Sequence, residues 1–572
     1  MIMAGVPVRA PFQPRSKSHA IANTPNTAQP PSTPNPPLRS NNSASADAFS
    51  DRSTLLFIRR TLCSHLSDKG RSTPAPIDEI LPPLTSSNEV DLQLYAFIAI
   101  IIREFVNSWY AKITPDQVFV EEIVKIIAHC TRALEQRLRK VDLESLLFEE
   151  LPDLLDTHVR IYRTAHYPLH PPPVTVNPRQ VYHSLWPCAP LSPVPVEGDD
   201  DAKKAQSNNE AAYRQLTVYG ILAVLLPTED LDNGCLTSLV GQIFSEMILG
   251  GGIGGKACEP WLLWEGIMKI AEVIQNRPPK SESQVHNDMS DPDAPIPHSL
   301  DVAEAGTKFS TWGCTIQKTF TLVLQYLFLA FAAIRTMIIA IATSSSLPSR
   351  ISHMGKITGS TSSREDNSEP QMNSEAASGS RPLPFKQPIL TMKLWSCVST
   401  LLDMETRMPW LSATISLLQW GAITGPGKVG DTDGMIDKIL SHQIHTHLLD
   451  PSLLAPLLRT TRLALFPNNT LAPARVPPTP AETVLIRRKC AEAILALIPM
   501  PIRDVYFGSG TGAGTEKKEE RHIKEVEDIL DVFGDVYCNK HLLYAVVELI
   551  VIRLIPELAE KGVEELWAER LS

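Results

Sequence analysis

Apolar residues recur along most of this chain at the three-to-four-residue spacing of amphipathic helices, which predicts an all-α protein. The pattern is clearest in two blocks, residues 88–275 and 387–567, and we find no stretch with the period-two alternation of a β-strand. Each block alone would expose broad apolar faces. We therefore expect the two blocks to pack into one body around a long apolar helix.

That long apolar helix is predicted at residues 320–342, the most apolar run of the chain, which we call the apolar segment. It is long enough to cross a bilayer. Its polar positions, including Gln325 and Arg335, fall on one narrow stripe. The Leu, Ile, Phe and Val side chains favour insertion by about 5 kcal/mol, and Arg335 opposes it by about 3 kcal/mol. Two alternatives stay open: a helix buried in the protein or lining an apolar cavity, and a membrane-embedded helix.

In both alternatives we expect the apolar segment to contact acyl chains. The candidate lipid-contacting side chains lie around the part of the helix that is free of the polar stripe: Leu322, Leu329, Phe331, Ile334 and Ile338. In the buried alternative Gln325 and Arg335 need polar partners, because an unpaired buried charge is strongly destabilising.

Changes in composition divide the chain. Pro-, Ser- and Asn-rich stretches indicate disordered linkers, and the 48 prolines are concentrated there. Proline-led capping boxes at residues 114–117 and 479–482 predict the starts of two helices. The predicted organisation is a disordered tail at 1–50, a short helix and Pro-rich linker at 51–87, a helical domain at 88–275, a linker at 276–305, the long apolar helix at 306–345, a disordered linker at 346–386 and a second helical domain at 387–567.

Charge and cysteine content narrow the function classes. The formal net charge is −10, from 53 Lys and Arg against 63 Asp and Glu. This balance argues against a nucleic-acid binder, which needs a basic footprint. The nine cysteines form no CxxC pair, a distribution typical of a reducing cytosolic environment. The first 50 residues lack the apolar core of a signal peptide.

One glycine-rich run has the spacing of a phosphate-binding loop. Gly250 to Lys256 meets the G-x4-G-K pattern, but Ala257 replaces the hydroxyl that would ligate Mg²⁺, and a helix rather than a strand precedes the run. We therefore expect no nucleotide. We interpret the glycines as a flexible end to a helix over 236–249.

Other candidate sites have simpler explanations. His442, His445 and His447 do not share one helix face, so we predict no metal site. No nucleophile–base spacing is present, which predicts no catalytic residue, no cofactor and no enzyme. Candidate membrane-surface contacts are two tryptophans, for which core packing is the alternative, and a basic cluster, for which a solvated face is the alternative: Trp261, Trp264, Arg487, Arg488 and Lys489.

The two blocks resemble known domains. In the first, YAFIAIIIREFVNSWYAKI, LLFEELPDLLDTHVRIYR and EAAYRQLTVYGILAVLLP resemble the PXA (PX-associated) domain. In the second, MPWL and NKHLLYAVVELIVIRLIPEL resemble the nexin C domain. The order is that of sorting-nexin-related proteins, here similar to the fungal type that lacks a PX domain, because residues 276–387 are too few for one.

The resemblance implies a non-enzymatic membrane-associated protein that binds or transfers lipid, tethers membranes, or both. It implies an apolar lipid-accommodating cavity and a place on the cytoplasmic face of endosome, vacuole or ER, with embedding through 320–342 as an open alternative. Expected partners are lipid or membrane and trafficking proteins, with no nucleic acid or nucleotide. The competing hypothesis is a protein–protein interaction scaffold of membrane traffic without a lipid cavity.

Overall fold

The structure of the protein is a computed structural model. It describes residues 51–63, 77–114, 118–167, 176–275 except 197, 386–466, 469–470, 476–508 and 515–572, with scattered positions from 323 to 350. The predicted tail at 1–50 and the linker at 276–305 lie outside the described residues, as does most of 346–386. The chain separates into two compact units, Met1–Ser53 and Thr54–Ser572, and every contact below lies within the second.

Each regular element among these residues is a helix, which confirms the predicted all-α fold. The helices up to residue 275 are α1 (Asp51–Leu62), α2 (Ile77–Ile80), α3 (Asn88–Ile101), α4 (Asn107–Ile113), α5 (Val118–Leu138), α6 (Leu143–Ser145), α7 (Leu151–His166), α8 (Pro178–Leu185), α9 (Asp200–Leu225), α10 (Thr228–Leu231), α11 (Gly234–Gln242) and α12 (Pro260–Gln275). Three π-helical stretches continue α3, α6 and α11 and span Ile102–Val106, Leu146–Glu150 and Ile243–Ala257. A 3₁₀ turn covers Ala189–Leu191.

The second block contains helices of similar length. They are α13 (Lys393–Leu401), α14 (Met404–Arg407), α15 (Pro409–Thr424), α16 (Met435–His447), α17 (Leu454–Leu465), α18 (Pro480–Leu497), α19 (Met500–Tyr506), α20 (Thr515–Leu530), α21 (Val536–Leu554), α22 (Glu557–Glu560) and α23 (Val563–Leu571). Its 3₁₀ turns are Ile389–Thr391, Pro451–Leu453 and Asp531–Phe533.

Local chemistry sets where several of these helices begin. The Thr479 side chain accepts from the backbone N–H of Glu482, and Glu482 accepts from the backbone N–H of Thr479, so the predicted capping box of α18 is present. The other predicted box extends beyond Thr114 into residues 115–117, outside the described part, and α5 begins at Val118.

Two of the hydrophobic cores are built from side chains of both blocks. Val159 and Tyr162 of α7 pack with Val532 and Cys538. Trp264 of α12 packs with Cys490 and Leu530, helices α18 and α20. Part of the apolar surface that each block would expose alone is thus covered by the other block.

The apolar segment does not lie between them. Its described positions from 323 to 339 are helical, but side chains such as Phe328 and Phe331 are 72% and 63% exposed. This part of the chain is therefore on the outside of the body. The physical reason is that helices of the two blocks pack directly against each other in the shared cores, which places this segment outside them.

The interpretation of the glycine run was wrong. The helix that starts at Gly234 does not end near residue 249; it continues through the glycines as a π-helix to Ala257. We refer to Gly234–Ala257 as the glycine-rich helix.

Candidate functional site

A buried polar cluster joins the two blocks next to the glycine-rich helix. Glu210 on α9 accepts hydrogen bonds from the Tyr544 hydroxyl at 2.6 Å and from Lys540 Nζ at 3.2 Å, both on α21. Arg214, one turn after Glu210, lies 3.2 Å from its carboxylate. We call Glu210, Arg214, Lys540 and Tyr544 the junction cluster.

Helical spacing places these groups together, since both pairs, 210 with 214 and 540 with 544, are four residues apart on one helix face. Burial, together with the hydrogen bond to Glu210, raises the pKa of Tyr544 above its usual range. Burial opposes the charge of Arg214, but the hydrogen bond with Tyr544 and the nearby carboxylates outweigh it and raise the pKa of Arg214. The cluster is a paired, charged network inside the body.

The junction cluster also fixes the glycine-rich helix. Arg214 Nε donates to the Ser245 carbonyl at 3.1 Å, and Arg214 Nη2 lies 3.3 Å from Glu246. A Cβ at Gly254 would stand 2.5 Å from the Tyr544 hydroxyl oxygen and 3.0 Å from Glu210 Oε1. Gly254 therefore permits a close approach of backbone to the cluster, a role that no side chain could fill without displacement.

The opposite face of the glycine-rich helix is apolar and exposed. Phe244, Met247 and Ile248 all remain nearly half exposed. Within the described residues, Gly234–Ala257 is the helix that is long and apolar enough to cross a membrane, by length and composition only.

A second buried charge cluster ties Arg350, eight residues after the apolar segment, to both blocks. The Arg350 guanidinium donates to Asp437 of α16 at 2.7 Å and to Glu144 of α6 at 2.8 Å, and all three side chains are buried. Burial alone would raise the pKa of Glu144. The hydrogen bond to His445 and the charges of Arg350 and Lys386 outweigh burial, so the pKa of Glu144 is lowered.

A third cluster contains buried histidines. His158 bonds through Nδ1 to the Tyr182 hydroxyl at 2.8 Å and through Nε2 to the Val532 carbonyl at 3.0 Å, which makes Nδ1 the acceptor and Nε2 the donor. Burial lowers the pKa of His158 to about 4. Burial, with the neighbouring His183 and His158, lowers the pKa of His541 to about 3. Both imidazoles are neutral at physiological pH.

One apolar cavity in the described part of the body is small. Its volume is about 130 Å³, and Phe148, Met392, Trp395 and Ile444 contribute to its lining. Pockets for small ligands usually measure about 300–1,000 Å³. This cavity is therefore too small to enclose a lipid.

The sequence-predicted lipid contacts lie apart from the clusters. Phe331, Ile334 and Ile338 are exposed, as are Gln325 and Arg335 of the polar stripe. Leu322 and Leu329 lie outside the described residues.

The prediction that Trp264 is a membrane-surface contact was wrong. It is 4% exposed and its Nε1 donates to the Leu530 carbonyl at 3.1 Å, because α12 turns this face into the core. Trp261 is half-buried. Lys489 is exposed.

The basic cluster is largely neutralised. Arg487 pairs with Asp531 at 3.0 Å, and Arg488 pairs with Glu520 at 2.6 Å. Both guanidinium groups are thus already engaged by carboxylates of the same chain.

No group of three or more His, Cys, Asp or Glu in the described part of the chain has the arrangement of a metal site. His442, His445 and His447 are exposed on α16, and His445 Nε2 stands 3.7 Å from Glu144.

The junction cluster is the feature of this region that sequence reasoning missed. Glu210 and Arg214 stand in EAAYR, and Lys540 and Tyr544 in NKHLLY, the motifs that carry the two resemblances. The available signal was a pair of ionisable residues four apart in each of the two motifs. Nothing in the sequence indicated that the two motifs bond to each other.

Comparison with known proteins gives a partial match. The chain is similar to PXA domain protein 1 of Schizosaccharomyces pombe (strain 972 / ATCC 24843), with 30% identity over 135 residues. That region is 23% of this chain and spans only a quarter of the relative's length, 25%. No solved structure matches with significance. Residues 87–270 match the family described as PXA domain, so the chain contains a PXA domain over the first helical block.

Proposed function

We propose that this chain is a non-enzymatic, membrane-associated protein of intracellular traffic that binds lipid bilayers through outward-facing apolar helices. Its place would be the cytoplasmic face of an endosome, vacuole or ER membrane. The PXA domain supports a trafficking role of the sorting-nexin type. The assignment of residues 387–567 as a nexin C domain is part of the proposal and rests on the motif at 539–558.

The observation that carries the proposal is the exposure of the apolar segment. Phe328, Phe331 and Ile334 are more than half exposed on one helical stretch. Large contiguous apolar surfaces on a folded protein usually mark a binding site for a membrane or another protein. The exposed face of the glycine-rich helix adds a second surface of the same kind.

The small cavity bears on the lipid-transfer form of the hypothesis. This cavity of about 130 Å³ cannot enclose a lipid, whereas the exposed apolar side chains offer an open surface for lipid contact. The same observation favours the competing hypothesis, an interaction scaffold of membrane traffic that binds protein partners and no lipid.

Vesicle flotation tests the proposal. The full-length protein should float with phosphatidylcholine vesicles, because apolar contacts need no anionic headgroup. The double variant Phe328→Asp/Phe331→Asp should float several-fold less, since two charges would enter the apolar layer. Gln325→Asn, on the polar stripe, is the matched control and should float like the wild type.

Native mass spectrometry of the purified protein separates lipid binding from the scaffold hypothesis. Retained lipid in the wild type, reduced in the double variant, would support lipid binding. A wild-type protein that neither floats nor retains lipid would overturn the proposal in favour of the scaffold.

A further inference from the structure

Helix α15 (Pro409–Thr424) directs a polar side chain toward the body and its large apolar side chains outward. Its amide side chain, Gln419, faces the body and donates to the Leu390 carbonyl. Its large apolar side chains face outward, with Leu417 and Leu418 exposed by 65% and 73%. A helix on the surface of a water-soluble domain has the reverse arrangement.

The outward side of α15 also lacks charge. No Asp, Glu, Lys or Arg occurs among its 16 residues. The hydroxyls of Thr414 and Thr424 donate back to the carbonyls of Leu411 and Trp420, at 2.9 and 2.7 Å. Both hydroxyl groups therefore donate their hydrogen bonds within the helix and do not need water as an acceptor, as is usual for Ser and Thr in lipid.

The shape of the apolar surface distinguishes a bilayer from a protein partner. At 100° per residue the exposed large side chains cover an arc of about 220°, whereas a packed helix usually contributes an apolar stripe of about 100°. The residues on this arc are Trp420, Leu417, Trp410, Leu418 and Ile415. A single docked helix or a second copy would leave part of the arc in water, whereas acyl chains would surround all of it.

Both ends of α15 are held by the body. Arg407, just before the helix, pairs with Glu525 at 2.7 Å, and the Ala422 carbonyl in its last turn accepts from Gly430 N at 2.8 Å. At 1.5 Å per residue, 16 residues are about 24 Å long, less than the bilayer core of about 30 Å. The helix can therefore lie within one leaflet but cannot cross both.

We infer that α15 is a monotopic membrane-insertion helix, which lies in the interfacial layer of one leaflet of a phospholipid bilayer. Trp410 and Trp420, near its two ends, occupy the headgroup boundary, where tryptophan is favoured. Binding through this helix is driven by apolar burial and is insensitive to anionic lipid, in accordance with the chain's net charge of −10. The inference rests on the proposed membrane association and assigns it a site in the second block, separate from the apolar segment.

Amide hydrogen exchange of the full-length protein, with and without phosphatidylcholine vesicles, tests this site. Peptides covering 409–424 should exchange at least several-fold more slowly with vesicles present. The double variant Leu417→Asp/Leu418→Asp should lose that protection and float less. It should fold normally, because both side chains are already exposed. Val476→Asp, at an 85% exposed position outside the helix, is the control and should behave as the wild type.

The possible outcomes separate the two proposals. If the wild type floats but 409–424 shows no protection and the Leu417/Leu418 variant floats equally well, the inference about α15 is overturned while membrane association stands. If the wild type does not float, both are overturned.

Concentration-dependent protection of 409–424 without vesicles would replace the bilayer by a second copy of the chain. Addition of phosphatidylserine should leave binding unchanged, and a strict requirement for it would contradict apolar insertion.

Discussion

The hydroxyl of Tyr544 donates to Glu210 Oε1 at 2.6 Å, and this bond connects two motifs that lie 334 residues apart in the chain. Both side chains are buried, so the bond forms where water cannot replace either partner. The PXA domain and the second block are thus joined by a polar contact as well as by shared apolar cores.

Removing this hydroxyl should weaken the whole body. We expect Tyr544→Phe to lower the free energy of unfolding by about 1.5–3 kcal/mol, because a buried carboxylate loses a donor. Tyr167→Phe, at an exposed position, should change it by less than about 0.5 kcal/mol. Urea unfolding of both variants measures the difference, and equal small effects would show that the bond contributes little.

Two glycines provide a matched pair. Gly254→Ala should destabilise the protein by about 1–3 kcal/mol, because the new Cβ would overlap the Tyr544 hydroxyl. Gly266→Ala, in α12, meets nothing within 4 Å and should stabilise it by up to about 1 kcal/mol. The two variants should therefore shift the midpoints of thermal and urea unfolding in opposite directions. A neutral Gly254→Ala would argue against the close approach of the glycine-rich helix.

Arg350 holds two buried carboxylates from different blocks. We expect Arg350→Met to lower the unfolding free energy by about 3–5 kcal/mol, because Glu144 and Asp437 would remain buried without their main counter-charge. Adding Asp437→Asn to this variant should restore part of the loss. Lys489→Met, at an exposed position, serves as the control for removal of a positive charge. Equal stability of the two single variants would contradict the role of Arg350.

The buried histidines predict a pH dependence of stability. The pKa values of His158 and His541 fall from 6.5 in the unfolded chain to about 4 and about 3 in the fold, so the unfolded state binds more protons. The contribution of these two histidines to the free energy of unfolding is therefore fully present above pH 6.5. It falls as the pH decreases toward 4, by about 1.4 kcal/mol per pH unit for each histidine.

Urea unfolding between pH 7 and 5 measures this slope. His158→Gln should reduce it by the share of one histidine, while its amide can still bond Tyr182 and Val532. His447→Gln, on the exposed side of α16, should leave the slope unchanged. A slope that is the same in all three proteins would exclude His158 as its source.

The sequence predicted the local features of this fold well. Helical periodicity and the Thr479 capping box depend on residues within a few positions of each other, and both are confirmed. The PXA resemblance was also confirmed, over residues 87–270.

The errors concern features that depend on distant contacts. The glycine run has a high intrinsic tendency to end a helix. It continues as a helix because Arg214, Glu210 and Tyr544 pack against it, and no local pattern encodes those contacts. Trp264 was similarly ambiguous, since helical spacing identifies its face but not what covers that face. The sequence did not show that the apolar side chains of α15 face outward, because a helix that is apolar on nearly all sides does not indicate which side packs against the body.

Cleavage between the blocks tests most directly the claim that they form one body across the junction cluster. A protease site introduced between residues 360 and 361 would separate the PXA domain from residues 387–572 after digestion of the folded protein. We predict that the two fragments elute together in gel filtration, and that Tyr544→Phe combined with Lys540→Met increases their dissociation. Elution of two separate, folded fragments from the unmutated protein would contradict the claim.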